Sequence, residues 1–174
     1  MKIRAETATD HEAIRRVNDE AFGETSESQL VDAIRVSDRF VPELSLVAEA
    51  EGQTLGHVIL TYVDVEPAAG RPVRWVLQLG PLAVLPSHQR RGIGSALTRK
   101  ALRLADERGE PLVLIEGNPR YYERFGFRRA DESGIEAPEG AHGPQFFMMC
   151  PLAAYDPSLR GRAVYPPETF GGFT

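Results

Sequence analysis

The chain has 174 residues, 42% apolar and 26% charged, the make-up of one ordinary globular domain with a sizeable core. A net charge of −5 argues against a general nucleic-acid binder, and the single cysteine, Cys150, excludes an internal disulfide and suits a cytoplasmic chain. No basic-then-apolar leader is present and no apolar run approaches about 18 residues, so no membrane partner is expected.

Lys2 to Glu6 alternates and is predicted as a first strand. Thr9-Asp10-His11-Glu12 has the spacing of a capping box, and Ile14, Val17 and Ala21 then recur at helical spacing up to a stop at Gly23. His11, in the opening turn, is expected to be solvated. Ser26-Glu27-Ser28-Gln29 is a second box, opening a helix with Leu30, Val31 and Ile34 on one face. Leu44, Leu46 and Ala48 alternate as a strand, Glu51-Gly52-Gln53 turns, and Leu55 to Val65 returns. Glu66 to Pro72 is predicted as an exposed loop, and Arg74 to Val84 as a central third strand. Gly80-Pro81 inside that strand marks a bulge, because proline brings no ladder donor.

From Leu77 to Leu97 the chain reads as an apolar strand, a polar turn and a helix start. The turn is Gln89-Arg90-Arg91-Gly92-Ile93-Gly94, followed by Ser95. Two glycines let backbone N–H groups approach a ligand at a helix N-terminus, and two arginines add positive potential at the same point. That is the chemistry of a phosphate cradle. It is not a P-loop, which needs Gly-Lys-Ser/Thr. It is not a dinucleotide fingerprint either, because Leu97 stands where the third glycine would be.

The helix after the turn is predicted to bury Ile93, Ala96, Leu97, Ala101, Leu104 and Ala105 and to stop at Gly109. Pro111 to Ile115 is wholly apolar, as in a buried parallel strand, so strand, helix and strand make a crossover unit. Asn118 and Pro119 suit the cap and first turn of a short helix ended by Gly126. Phe127 to Ala130 and Phe146 to Pro151 are predicted as the last two strands, joined by a surface loop over Ser133 to Pro144. The tail carries Tyr155, Tyr165, Phe170 and Phe173, too many aromatics for a disordered end, and is expected to pack on the domain or on a partner subunit.

Two segments resemble one family. Gln89-Arg90-Arg91-Gly92-Ile93-Gly94 is similar to the acyl-CoA motif of the GNAT N-acetyltransferases, Gln/Arg-x-x-Gly-x-Gly/Ala. Asn118-Pro119-Arg120-Tyr121-Tyr122-Glu123-Arg124-Phe125-Gly126-Phe127 resembles the same family's Asn-…-Tyr-Glu-Arg-x-Gly-Phe motif, in the expected order and separation. The resemblance covers residues 1–152 and leaves 153–174 as an extension. It implies an α/β (α+β) fold with a mixed, mostly antiparallel central sheet flanked by helices, whose splayed parallel strand pair holds acyl-CoA.

The resemblance further implies acetyl-CoA as cosubstrate; no metal is expected, since the four histidines and one cysteine show no ligand spacing. Backbone groups of Leu82, Ala83 and Val84 would pair with pantetheine, and the run Gln89, Arg90, Arg91, Gly92, Ile93, Gly94 and Ser95 with the phosphates. Asn118 and Tyr121 would lie on the cofactor arm, with helix capping the competing role for Asn118. Tyr122 would be the general acid that protonates the departing thiolate. The acceptor would be a small-molecule amine or a protein amino group. The general base stays open among Glu116, Glu49, His57, Asp64 and a water. A homodimer is compatible with the aromatic tail and long hairpin. The alternative activity is an acyl-CoA-binding sensor or interaction module without turnover.

Overall fold

The computed structural model describes residues 1–67 and 72–170. Most of the predicted Glu66 to Pro72 loop, and Phe173 of the tail, lie outside them. The strands are β1 (Lys2–Ala5), β2 (Phe40–Ala50), β3 (Gln53–Glu66), β4 (Arg74–Val84), β5 (Leu112–Glu116), β6 (Arg128–Arg129), β7 (Ile135–Glu136), β8 (Phe147–Pro151) and β9 (Gly161–Val164). The helices are α1 (His11–Phe22), α2 (Ser26–Arg35), α3 (Ile93–Glu107), α4 (Pro119–Tyr122) and α5 (Pro167–Phe170). Among the pairings described, β4 with β5 and the short β7 with β9 are parallel and the others antiparallel, so the fold is a mixed, mostly antiparallel sheet with helices. None of these helices is long and apolar enough to cross a membrane.

The chain forms two compact units. The first holds Met1–Thr61 and Leu79–Leu104. In it β1 pairs with β2, and β2 with β3 through a tight turn at Glu51 and Gly52, whose φ values of 52° and 74° are those a two-residue hairpin demands. Leu44 through Ala48 are all buried, so β2 is covered on both faces and starts at Phe40, ahead of the alternation at Leu44. Gly56 is a close-approach position. A Cβ there would stand 3.0 Å from Leu97 Cδ1 and 3.1 Å from both Ile93 Cγ2 and Ala83 O. Its missing side chain is what lets the start of α3 seat on the sheet. The buried face of α3 is Ile93, Leu97, Ala101, Leu102 and Ala105, while Ala96 and Leu104 lie at its half-exposed margin.

Both capping boxes differ from the sequence reading. At the first, the Thr7 N–H and hydroxyl both donate to Asp10 Oδ2, at 2.7 and 2.9 Å, so the box is Thr7 with Asp10 rather than Thr9 with Glu12. Arg4 holds Asp10 through a forked pair, 2.7 and 2.9 Å, which turns the carboxylate toward Thr7. At the second, the cap position of α2 is Thr25, one residue earlier than expected, and no side-chain bond caps it. Gly23 ends α1 at φ 73°, as read from the sequence.

The second unit holds Tyr62–Gln78 and the described residues from Ala105 on. β4 runs parallel to β5, with Leu77 opposite Val113 and Gln78 opposite Leu114; β8 lines the other side of β5, and β6 follows β8. Val63, Val76, Leu112, Leu114, Phe147 and Met149 are at the heart of its core. Phe127 to Ala130 contributes only the two-residue β6, and Phe147–Pro151 is not the last strand. β9, in the tail, pairs antiparallel with the end of β3, Val65 opposite Ala163, and parallel with β7, which forms inside the predicted surface loop. Gly161 is required there, since a Cβ would fall 2.2 Å from Glu66 O. Tyr155, Tyr165 and Phe170 of the tail pack on the core, Tyr165 and Phe170 stacking at 4.6 Å.

Candidate active site

In the first unit, β4 ends at Val84 and the chain turns through Pro86–His88 into Gln89, Arg90, Arg91 and Gly92. Arg90 has φ 60° and Gly92 φ 83°; two left-handed residues around Arg91 curl the backbone into the kind of concavity that suits an anion. The Ala96 N–H reaches Gly92 O at 2.9 Å, which leaves the N–H groups of Ile93, Gly94 and Ser95 as the open donors of the first helical turn. Arg90 and Arg91 are exposed and form no ion pair among the described residues, unlike Arg4, Arg15 and Arg35. The dipole of the 15-residue α3 and both guanidinium groups therefore act at one unneutralised point.

The loop is anchored from below. Gln89 Nε2 donates to Val84 O at 3.1 Å, and the Leu85 N–H to Leu55 O at 2.9 Å. Gln89 is thus already engaged within the protein. Above it, Gly80 has φ 140° and the Gly80–Pro81 peptide is cis. Ala83 is buried with its carbonyl turned toward Gly56, while Leu82 and Val84 are half-exposed.

In the second unit, Asn118 does cap α4: its Oδ1 accepts the Arg120 N–H at 3.0 Å. The Tyr122 ring lies against Gly117, where a Cβ would come within 2.5 Å of Cε2, and meets Tyr121 and Phe127 edge-on at 4.8 and 5.6 Å. Burial pushes the Tyr122 phenol well above its ordinary range, so it stays protonated at neutral pH. Tyr121 is covered by the Arg124 guanidinium 4.1 Å over its ring, a cation–π packing contact.

The four base candidates have unlike surroundings. Glu49 is bound by Arg4 at 2.7 Å. His57 is fully buried among Asn18, Ser45 and Glu6. Asp64 sits in the β3–β9 ladder opposite Val164. Glu116, at the end of β5, is half-buried: its Oε1 accepts the His142 N–H at 2.8 Å and lies 2.6 Å from His142 Nδ1, and its Oε2 accepts from Tyr165 at 3.4 Å. Tyr165 in turn accepts from Gln78 Nε2 at 2.7 Å. Gln78, Tyr165 and His142 were not candidates from the sequence. Gln78 left one trace, a lone amide within Val76-Leu77-Gln78-Leu79.

A family model described as an acetyltransferase (GNAT) domain matches residues 2–130. The uncharacterized N-acetyltransferase YjhQ of Escherichia coli is 32% identical over 166 residues, covering 92% of this chain and 91% of its own. The Escherichia coli GNAT protein YhbS, solved in complex with CoA, superposes with a TM-score of 0.86 at 27% identity, over 99% of this chain and 93% of that one. A GNAT acetyltransferase from Brucella melitensis in complex with acetyl-CoA gives 0.76 at 30% identity, over 96% of each chain. The cradle and the tyrosine helix thus occur in a chain that, by model, relatives and fold together, belongs to the GNAT acetyltransferase family.

Proposed function

We propose that this protein transfers the acetyl group of acetyl-CoA directly to a primary amine, on a small molecule or a protein. The observation that carries the reading is the loop from Gln89 to Ser95: three open N–H donors, a helix dipole and two unpaired arginines at the end of a buried strand. This set fits a pyrophosphate, as CoA carries, and it is an unusual amount of positive potential to leave uncompensated on a chain of net charge −5. Arg90, Arg91, Gly92, Ile93, Gly94 and Ser95 are assigned to the phosphates. Leu82, Ala83 and Val84 are assigned to the pantetheine arm, and Gln89 holds the loop to Val84.

In the reaction the amine nitrogen attacks the thioester carbonyl carbon, the C–S bond breaks, and the thiolate takes a proton. Tyr122 is the assigned donor: its phenol is held protonated by burial, and its ring is fixed by Gly117 and Phe127. Asn118 orients the tyrosine helix as its cap, and Tyr121 shields the edge of Tyr122. Glu116 is assigned to the amine's proton, because Glu49 is tied to Arg4 whereas Glu116, at the end of β5, is bonded only by His142 and the Tyr165 hydroxyl among the described residues.

The test is CoA thiol release from acetyl-CoA across polyamines, amino acids, aminoglycosides and short peptides. Amine-dependent release supports the reading and gives the acceptor class. A protein that is stabilised by acetyl-CoA but releases no thiol with any amine would instead be a binding module.

A further inference from the structure

The cluster around Glu116 contains more hydrogen-bond acceptors than donors. Gln78 and Leu114 are register partners on parallel strands, so Gln78 and Glu116, two residues beyond Leu114, project from the same face. Gln78 is only 7% exposed, and its Nε2 is used on Tyr165. Its Oε1 is buried with no hydrogen-bond partner. A buried amide oxygen left unpaired is destabilising and is rarely retained without a use. The Tyr165 hydroxyl accepts from Gln78, so its proton is directed to Glu116 Oε2, at a long 3.4 Å. Glu116 Oε1 is occupied by His142. One neutral amide oxygen and one under-used carboxylate oxygen thus stand on either side of a single tyrosine hydroxyl. No lysine or arginine side chain is bonded to Glu116 among the described residues.

We propose that Gln78, Glu116 and Tyr165 form a seat for the ammonium group of a primary alkylamine acceptor. A primary ammonium carries three N–H donors and no acceptor, the complement of what the cluster lacks. Its N–H groups satisfy Gln78 Oε1 and Glu116 Oε2, and its charge neutralises the carboxylate. Tyr165 is the positioning residue. It is delivered by the C-terminal extension, through the pairing of β9 with β3 and β7 and the stacking of Phe170. The extension is thereby part of acceptor recognition. The role of the seat in turnover rests on the acetyltransferase reading above; ammonium binding itself does not.

The experiment has two arms. In the first, ¹⁵N-labelled protein is titrated with ethylammonium chloride, with tetramethylammonium chloride as the control that has charge but no N–H. The Gln78 side-chain amide signals, identified by their loss in Gln78→Leu, should shift saturably with ethylammonium and not with tetramethylammonium. The response should be lost in Tyr165→Phe. No saturable shift, or the same shift with tetramethylammonium, overturns the seat whatever the enzyme does. In the second arm, acetyl transfer to n-butylamine is followed in wild type, Tyr165→Phe and Gln78→Leu, each first shown to melt cooperatively. The KM for the amine should rise about tenfold in both variants, while the KM for acetyl-CoA stays within twofold. Equal losses for both substrates would make Tyr165 merely structural. Ethylammonium binding without acetyl transfer would refute the acetyltransferase reading and leave the seat standing.

Discussion

Two clusters in this protein are built from a glutamate, a histidine, a hydroxyl and an amide, and they are opposites in charge balance. Around Glu6 in the first unit, Arg35 forks onto the carboxylate at 2.7 and 3.0 Å and Ser45 adds a 2.6 Å bond. His57 Nε2 faces Ser45, and its Nδ1 accepts from Asn18. Burial pushes the Glu6 carboxyl up, but His57, Arg35 and Ser45 outweigh it and hold it well below the usual carboxylate range. Around Glu116 in the second unit no arginine is bonded to the carboxylate among the described residues, His142 is 84% exposed, and one oxygen is barely bonded. An orphan acceptor alone does not make a site. Asn18 Oδ1 is also unpartnered, but its residue is sealed at 0% exposure beside an already neutralised carboxylate. Charge compensation, and the exposure of the carboxylate itself, 20% at Glu116 against 5% at Glu6, separate the structural cluster from the candidate functional one; residue type does not.

The contrast is broken most sharply by the same substitution on both sides. Glu6→Gln removes the buried partner of the Arg35 side chain, 9% exposed, and leaves it only the more exposed Asp32, and should cost about 3 kcal/mol in chemical denaturation. Glu116→Gln should stay within about 1 kcal/mol of wild type. The pH dependence of stability reports the first cluster. Burial lowers the His57 pKa, so the folded state prefers neutral imidazole and the unfolded chain binds the extra proton. Stability should therefore fall as pH drops below about 6.5. Glu6, whose folded pKa is depressed, adds a further loss below about pH 4.3, as the unfolded carboxylate protonates first. His57→Gln should flatten the upper limb; an unchanged curve would remove His57 from it.

Tyr122→Phe should lower turnover about a hundredfold while preserving acetyl-CoA binding and the melting temperature. Gly117→Ala should approach the same loss by displacing the ring that lies 2.5 Å from the added methyl. Unchanged kcat in Tyr122→Phe would take the phenol out of the chemistry. Gly56→Ala, overpacked at 3.0 to 3.1 Å against Leu97, Ile93 and Ala83 O, should cost about 1–3 kcal/mol and weaken acetyl-CoA binding through the shifted start of α3. Asn118→Ala is the smallest change, about 1 kcal/mol from the lost cap of a short helix, read in a thermal melt.

The parts legible in the sequence were those encoded within one local pattern. The strand, polar turn and helix from Leu77 to Leu97, the Asn118 cap and the Gly126 stop depend on neighbours a few residues apart. The Thr9 box failed because a residue of β1, Arg4, claims Asp10 and moves the cap to Thr7. β7 and β9 are too short for any periodicity to appear, and only their pairing makes them strands. Gln78 and Tyr165 are 87 residues apart. The lone amide in an apolar run was visible, and so were the tail's aromatics; the route of the tail that joins them was not.

Calorimetric titration of acetyl-CoA into wild type and an Arg90→Glu/Arg91→Glu variant asks whether the loop from Gln89 to Ser95 holds the phosphates of acetyl-CoA. Both arginines are exposed and form no ion pair among the described residues, so the variant should melt as wild type does in the absence of ligand. One saturable site is expected in wild type, with an affinity at least tenfold weaker in the variant. Equal affinities in the two proteins would contradict it.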